Sequence, residues 1–306
     1  MTNYAGDNQR ITLAVTGGTG FIARGVIERM AASGVAVRAL SRGSRPAWAP
    51  PTTEWRTIAS YGDIADLSDA LKGVRYVLHL ADNPERTDER SGAEALGNAD
   101  ALIDAVRSNA IEGVVVASSI YARDSNANER SYGSVKREVE QRFLDAADLR
   151  TIILRLPPVY GPGGKGGLAT LSRLVERGLP LPLGAARASR AYLSRNNFSS
   201  LILAMVTADE ANWSAATGRI FEPSDDQAVA TCDLIRMMAI QLGRAAHLVP
   251  VPLSLLRGLG AMTGRSEMVA GATDGLEVAS ADEIAGYFAW RPEEQMPQSL
   301  AFLRDR

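Results

Sequence analysis

Among 306 residues the chain has a single cysteine, Cys232, and only two histidines, His79 and His247. One thiol excludes an intrachain disulfide and fits a reducing compartment. So few soft ligands leave no His/Cys set for a metal, and none is expected. Long apolar runs are missing as well, so no segment is expected to span a bilayer. The nearest approach, VPLSLLRGLGAMTG at 251–264, is interrupted by Arg257 and reads as an amphipathic core helix. An excess of one charge is also absent. The 33 basic and 35 acidic residues give a net charge of −2, interspersed, with no basic stripe for a nucleic-acid backbone. The opening MTNYAGDNQR is polar and lacks an apolar signal segment, so a cytoplasmic location with neither membrane nor nucleic-acid partners is expected.

What is present is an alternation. ITLAVTG (11–17), VAVRALS (35–41), EWRTIAS (54–60), RYVLHLA (75–81), GVVVASS (113–119) and TIILRLP (151–157) have the composition of strands. FIARGVIERMAAS (21–33) and GAEALGNADALIDAVRSNA (92–110) have helical spacing between them. Strand and helix in turn predict an α/β fold of Rossmann type, a doubly wound parallel sheet with helices on both faces. After Pro157 the texture changes to the Gly/Pro-dense PPVYGPGGKGG and then to helical stretches near 168–177, 197–208, 231–242 and 252–263. The expected division is a dinucleotide-binding domain over 1–157 and a smaller substrate lobe over 158–306, with short strands crossing back into the first.

AVTGGTGFIARGVI sets Gly17, Gly20 and Ala23 between a strand and a helix. Glycines there let backbone approach a pyrophosphate, and the helix that follows points its positive N-terminus at that anion. Asp63 in GDIAD is placed either to accept from an adenine amino group, with Ile64 beside the ring, or to cap a helix; Asp66 is a second candidate cap. In SYGSVKREVE, Tyr132 and Lys136 stand four apart and share a helix face.

Taken in order, TGGTGFIA, GDI, LHLAD, VVVASS, YGSVK and LRLPPVYGPG resemble the extended short-chain dehydrogenase/reductase family, in its NAD-dependent epimerase/dehydratase branch. The segment PLPLGAARASRAYLSRNNFSSLILAM is similar to nucleotide-sugar 4-epimerases. The resemblance implies Tyr132 as general acid/base, Lys136 lowering its pKa and holding the nicotinamide ribose, and Ser119 bonding the reacting oxygen, with Ser118 its less favoured neighbour. The physics agrees, because a free phenol near pKa 10 needs a nearby cation to act as a base at neutral pH. It further implies cofactor contacts from Gly17, Gly20, Phe21, Ile22, Leu80 and Ala81, a supporting role for Asn98, a structural ring at His79, and Arg190 gripping a nucleotide diphosphate. In RALSRGSR the second strand ends on Ser41 rather than an acid, followed by Arg42 and Arg45, which predicts NADP, with NAD as the alternative. A homodimer paired through the helices near 92–110 and 132–147 is the family's default.

The chain departs from the pattern at Pro158, where sugar epimerases carry asparagine, and at Ser194 and Asn197, where they carry histidine and aspartate. Ile120 and Tyr121 replace the acid pair of the dehydratases, which argues against water elimination. The expected function is a nucleotide-sugar epimerase, acting at C4 of a UDP-hexose through a transient ketone. The alternatives are an NADPH-dependent reductase of a small carbonyl compound and a non-catalytic dinucleotide sensor.

Overall fold

A computed structural model describes residues 11–81, 89–123 and 132–304. The opening ten residues, Asp82 of LHLAD and Ser131 of SYGSVK lie outside the described residues. The chain runs β1 (Ile11–Thr16), α1 (Phe21–Ala32), β2 (Val37–Ser41), β3 (Glu54–Thr57), α2 (Ile64–Ala70), β4 (Val74–His79), α3 (Glu89–Arg107), β5 (Gly113–Ser119), α4 (Tyr132–Asp145) and β6 (Thr151–Leu156). It continues through β7 (Val159–Tyr160), α5 (Gly167–Glu176), β8 (Ser189–Ala191), β9 (Leu193–Ser194), α6 (Arg195–Thr207), α7 (Glu210–Ala216) and β10 (Ile220–Phe221). Last come β11 (Ala228–Ala230), α8 (Thr231–Gln241), α9 (Leu253–Met262), α10 (Ser266–Thr273) and α11 (Ala281–Phe288).

Seven described strands form one parallel sheet in the order β10-β6-β5-β4-β1-β2-β3. The order reverses between β1 and β4, which makes their carboxyl ends the switch point of a Rossmann-type fold. β5 is buried along its whole length and β2 likewise, as strands covered on both faces must be. A charge inside β2 is therefore notable. Arg38 is buried, and its guanidinium donates to the carbonyls of Ala70 and Lys72 at the end of α2 and to Glu54 of β3. A cation placed there satisfies carbonyls that the helix itself leaves over. On the other side of the sheet Trp213 stacks on Tyr76 with ring centroids 4.8 Å apart. It lies so close to Gly113 that a Cβ at that position would come within 2.7 Å of its ring carbon Cε3. The glycine that opens β5 is what lets the indole lie flat on the sheet.

The contacts divide the chain into two compact units. The first gathers Met1–Leu156, Ser199–Glu222 and Asp282–Arg291, and the second Pro157–Phe198, Pro223–Ala281 and Pro292–Arg306. Within the second, β8 pairs antiparallel with β11 and β7 pairs parallel with β9. The helix expected in the core over 252–263 is corrected here. α9 occupies that stretch, but Gly260 is its one buried residue, so it is an outer helix.

A buried polar network organises this second unit. The Asp225 carboxylate accepts from the Ser194 backbone N–H at 2.7 Å, from Asn197 Nδ2 at 2.7 Å and from the Tyr160 hydroxyl at 2.6 Å. The Tyr160 hydroxyl also meets Ser299 Oγ at 2.5 Å. Ser194 Oγ accepts from the Asn197 N–H, and Asn197 Oδ1 accepts from the N–H groups of Glu293 and Glu294. Asp225 is 1% exposed and its donors are all neutral, so burial raises its pKa from 3.8 to about 6. Because the folded value exceeds the unfolded one, its contribution to stability is full at low pH and is lost as pH climbs through the folded value. We expect the unfolding free energy of Asp225→Asn, relative to wild type, to move in the variant's favour by about 2–3 kcal/mol between pH ~4 and pH ~7. Urea denaturation across that range measures it, and parallel curves for the two proteins would refute the assignment.

Candidate active site

β1 ends at Thr16, whose buried hydroxyl is a junction. Its Oγ1 accepts from the N–H groups of Leu80 and Ala81, both at 3.0 Å, and meets His79 Nδ1 at 3.0 Å. With both lone pairs engaged, its own proton points at Nδ1, which leaves the His79 ring hydrogen on Nε2. The ring packs toward Phe143 at 5.9 Å, so His79 is structural, and what the segment presents is the backbone of Leu80 and Ala81.

Gly17 follows with φ +68°, and a Cβ there would sit 3.1 Å from the backbone of Ala81. Gly18 N–H donates to Leu40 O at 2.9 Å, and Gly20 N–H to Gly17 O at 2.8 Å. A Cβ on Gly20 would lie 3.0 Å from that same carbonyl. Gly20 precedes α1 and has no side chain with which to cap it, and Phe21 and Ile22 form its first turn. This is a close-packed glycine cradle opening on a helix N-terminus, and it fits a dinucleotide pyrophosphate. Sequence reasoning missed one of its parts. The Tyr61 hydroxyl accepts from Gly17 N–H at 2.7 Å and donates to Leu40 O at 2.8 Å, pinning the loop to the end of β2. Burial pushes this phenol above its ordinary pKa. The nearest signal was the tyrosine just before GDI.

At the end of β2 the buried Ser41 hydroxyl donates to Gly43 O at 2.6 Å and closes a turn. Arg42 projects outward, 64% exposed, its guanidinium 3.9 Å from Glu94. Arg45 instead donates to the carbonyls of Ala49 and Pro50 in its own loop. Asp63 is the N-cap of α2 and accepts from Asp66 N–H at 3.1 Å. Asp66, the other candidate cap, accepts from Ala59 N–H at 2.7 Å instead. Ile64 starts α2, 45% exposed. Asn98, half-buried on α3, lies beside Gly62, next to Asp63.

Tyr132 opens α4, with Lys136 and Glu140 at successive turns on one face. Lys136 is buried, and its Nζ donates to Ala117 O of β5 at 3.2 Å and stands 5.9 Å from the Tyr132 ring centroid. Gly133 makes the approach possible. A Cβ there would lie 2.9 Å from the Tyr121 carbonyl carbon, in the turn (Ile120–Ala122) that Ser119 begins. The Ser119 hydroxyl caps that turn, accepting from Tyr121 N–H at 3.4 Å. Ser118 points elsewhere and donates to Glu140 Oε1 at 2.5 Å, so Ser119 is the serine at the strand end. Arg155 of β6 clamps Glu140 through Nε and Nη2 at 3.0 and 2.7 Å. The pair Glu140–Arg155 was not foreseen, although Glu140 stands four residues after Lys136 in SYGSVKREVE. In the second unit Arg190 is 3% exposed and donates to the Asp274 carbonyl, while its Nε has no partner among the described residues.

A family model described as the NAD dependent epimerase/dehydratase family matches residues 13–217. The chain belongs to that family. Members of this enzyme family that resemble it include a UDP-glucose 4-epimerase of Vibrio cholerae, 31% identical over 62% of this chain and 57% of the relative. A ceramide reductase of Caulobacter vibrioides is also 31% identical, over 57% of this chain and 54% of the relative. The chain thus aligns with little more than half the length of each. A crystal structure of Thermus thermophilus UDP-glucose 4-epimerase in complex with NAD superposes with a TM-score of 0.72 at 19% identity, over 96% of this chain and 97% of that one, a likeness of fold.

The ion pair behind α4 of this family member gives a direct test. Glu140 is 2% exposed, and truncating it strands the Arg155 cation. Glu140→Ala is expected to lose about 3–5 kcal/mol of stability in urea denaturation. A loss under about 1 kcal/mol would falsify the view that the pair is a buried, mutually dependent unit.

Proposed function

We propose that the protein is a nucleotide-sugar epimerase acting at C4 of a UDP-hexose. The observation that carries this reading is the arrangement of Tyr132, Lys136 and Ser119 at the ends of β5 and α4, beside a glycine cradle suited to a dinucleotide. When bound, the nicotinamide dinucleotide supplies reversible hydride chemistry. The protein's own part is proton transfer and orientation. Tyr132 removes the proton from the sugar hydroxyl and returns it after the transient ketone has presented its other face. Lys136, fixed against β5 by its bond to Ala117 O, keeps a positive charge near the phenol and favours the phenolate. Ser119 donates to the reacting oxygen. Turning the ketone requires an anchor remote from the reacting carbon, and a diphosphate provides one. Arg190 supports this role, because a buried guanidinium with an unpartnered Nε is suited to a phosphate oxygen. In this reading the second unit is the substrate lobe. A second reading, reduction of a carbonyl compound, is favoured by the similarity to ceramide reductase. It is also favoured by Ser194 and Asn197, which are tied into the Asp225 network.

The purified enzyme, incubated with UDP-glucose, UDP-galactose and their N-acetyl forms and no added carbonyl compound, is expected to interconvert epimers with no lasting change in reduced dinucleotide. Tyr132→Phe should lower turnover by about 10²–10⁴-fold with dinucleotide affinity unchanged. Arg190→Ala should weaken UDP-sugar binding by about 10–100-fold. Stoichiometric consumption of NADPH on a carbonyl compound, with no UDP-sugar reaction, would replace this reading with the reductase.

For the cofactor we propose NADP over NAD. Ser41 puts no acid against a 2′-phosphate, and the exposed Arg42 is positioned after it; Arg45 serves its own loop. Titration of both dinucleotides tests this: Arg42→Ala should weaken NADP by about tenfold and leave NAD unchanged. Equal or tighter binding of NAD, insensitive to Arg42→Ala, overturns the preference.

A further inference from the structure

The chain has four tryptophans. Trp213 and Trp290 are buried, at 1% and 4% exposure, and donate to Met205 O and Ser200 Oγ. Trp48 and Trp55 are only half-buried, and they stand beside the glycine cradle rather than in the core.

Trp55 lies on β3 opposite Ala39 of β2. Its indole N–H donates to Gly43 O at 3.2 Å, the same carbonyl that the Ser41 hydroxyl holds at 2.6 Å. Ser41 Oγ in turn accepts from Gly43 N–H at 3.2 Å. Both lone pairs of Gly43 O are thus engaged, one from within the turn and one from the neighbouring strand. The far edge of the Trp55 ring reaches the cradle, where its Cη2 would lie 3.3 Å from a Cβ at Gly18. A Cβ at Gly43 would lie 3.9 Å from Thr19 Cγ2, so the turn itself abuts the glycine loop. Trp48 meets Trp55 edge-on, with ring centroids 6.4 Å apart, and carries the Arg24 guanidinium over its face at 5.2 Å. Arg24 belongs to α1 and also pairs with Glu28 at 2.8 Å. The Trp55 indole is therefore set between β3, the turn that ends β2 and the glycine loop.

Arg42 is the middle residue of that turn. Its side chain is 64% exposed, and among the described residues its ion pair is the 3.9 Å contact with Glu94. A long exposed side chain starts from the direction its backbone gives it. A turn already held in place spares part of the ordering cost of binding an anion.

We propose that Trp55 is a positioning residue for the 2′-phosphate of NADP, holding the Gly43 carbonyl so that Arg42 is directed to that phosphate. This rests on the reading of the cofactor as NADP. An uncharged ribose hydroxyl gives Arg42 no anion to meet, so the effect belongs to NADP and not to NAD.

The test is a double-mutant cycle on the full chain, read by calorimetric titration with NADP and with NAD. Trp55→Phe keeps an aromatic ring and removes the N–H. It should weaken NADP about five- to tenfold, leave NAD within about twofold, and leave the circular dichroism unchanged. In an Arg42→Ala background the same substitution should cost NADP less than about twofold, because the two residues act as one unit. Equal weakening of both dinucleotides, or the full loss on top of Arg42→Ala, overturns the proposal and makes Trp55 a structural residue of its loop. So does wild-type NADP binding by Trp55→Phe when Arg42→Ala binds it weakly. Arg42→Ala without effect on NADP removes the cofactor reading and this proposal with it.

Discussion

Thr16 holds together the two strands at which the sheet reverses. One hydroxyl satisfies two N–H groups at the end of β4 and orients His79, while its own strand delivers Gly17 to the same spot. The ends of β1 and β4 therefore cannot separate without breaking both of these part-buried hydrogen bonds and the buried Thr16–His79 contact. The backbone of Ala81 is held close enough that only glycine suits position 17. The cradle's width, its left-handed turn and the start of α1 follow from that one junction. Tyr61 repeats the device on the β2 side, so the loop is held from both flanks before any ligand arrives.

The helix α4, which carries the candidate catalytic tyrosine, is positioned by a comparable economy of contacts. Gly133 removes a side chain where α4 meets the Tyr121 carbonyl, and Arg137 donates to Ala122 O at 2.7 Å to hold the far end of that turn. Alternation along β5 does the rest. Ser118 turns toward Glu140 and Ser119 toward the strand end, so two neighbouring hydroxyls have different fates.

Much of this was legible in the sequence because it rests on local pattern. Buried strands such as GVVVASS and TIILRLP declare themselves by composition, and the glycine loop and Tyr132/Lys136 spacing are readable within a few residues. What escaped depends on partners far apart in the chain. Tyr61 meets Gly17 across 44 positions, and Arg155 meets Glu140 from a different element. The helix at 252–263 was visible, but hydropathy records how apolar a helix is and not which neighbours cover it. Its stripe was therefore placed in the core when it is outside. Of the two cap candidates for α2, Asp63 takes the role, and Asp66 accepts from Ala59 N–H, a partner seven positions back that local pattern does not reveal.

Lys136, Glu140 and Arg155 set two cations and one carboxylate beneath the candidate catalytic tyrosine. Lys136 and Glu140 are buried and Arg155 nearly so. Mobile ions screen exposed charges over about 8–10 Å of electrolyte, but they do not enter a packed interior. The field this cluster sets at the end of β5 is thus a fixed property of the fold, indifferent to the ionic strength outside.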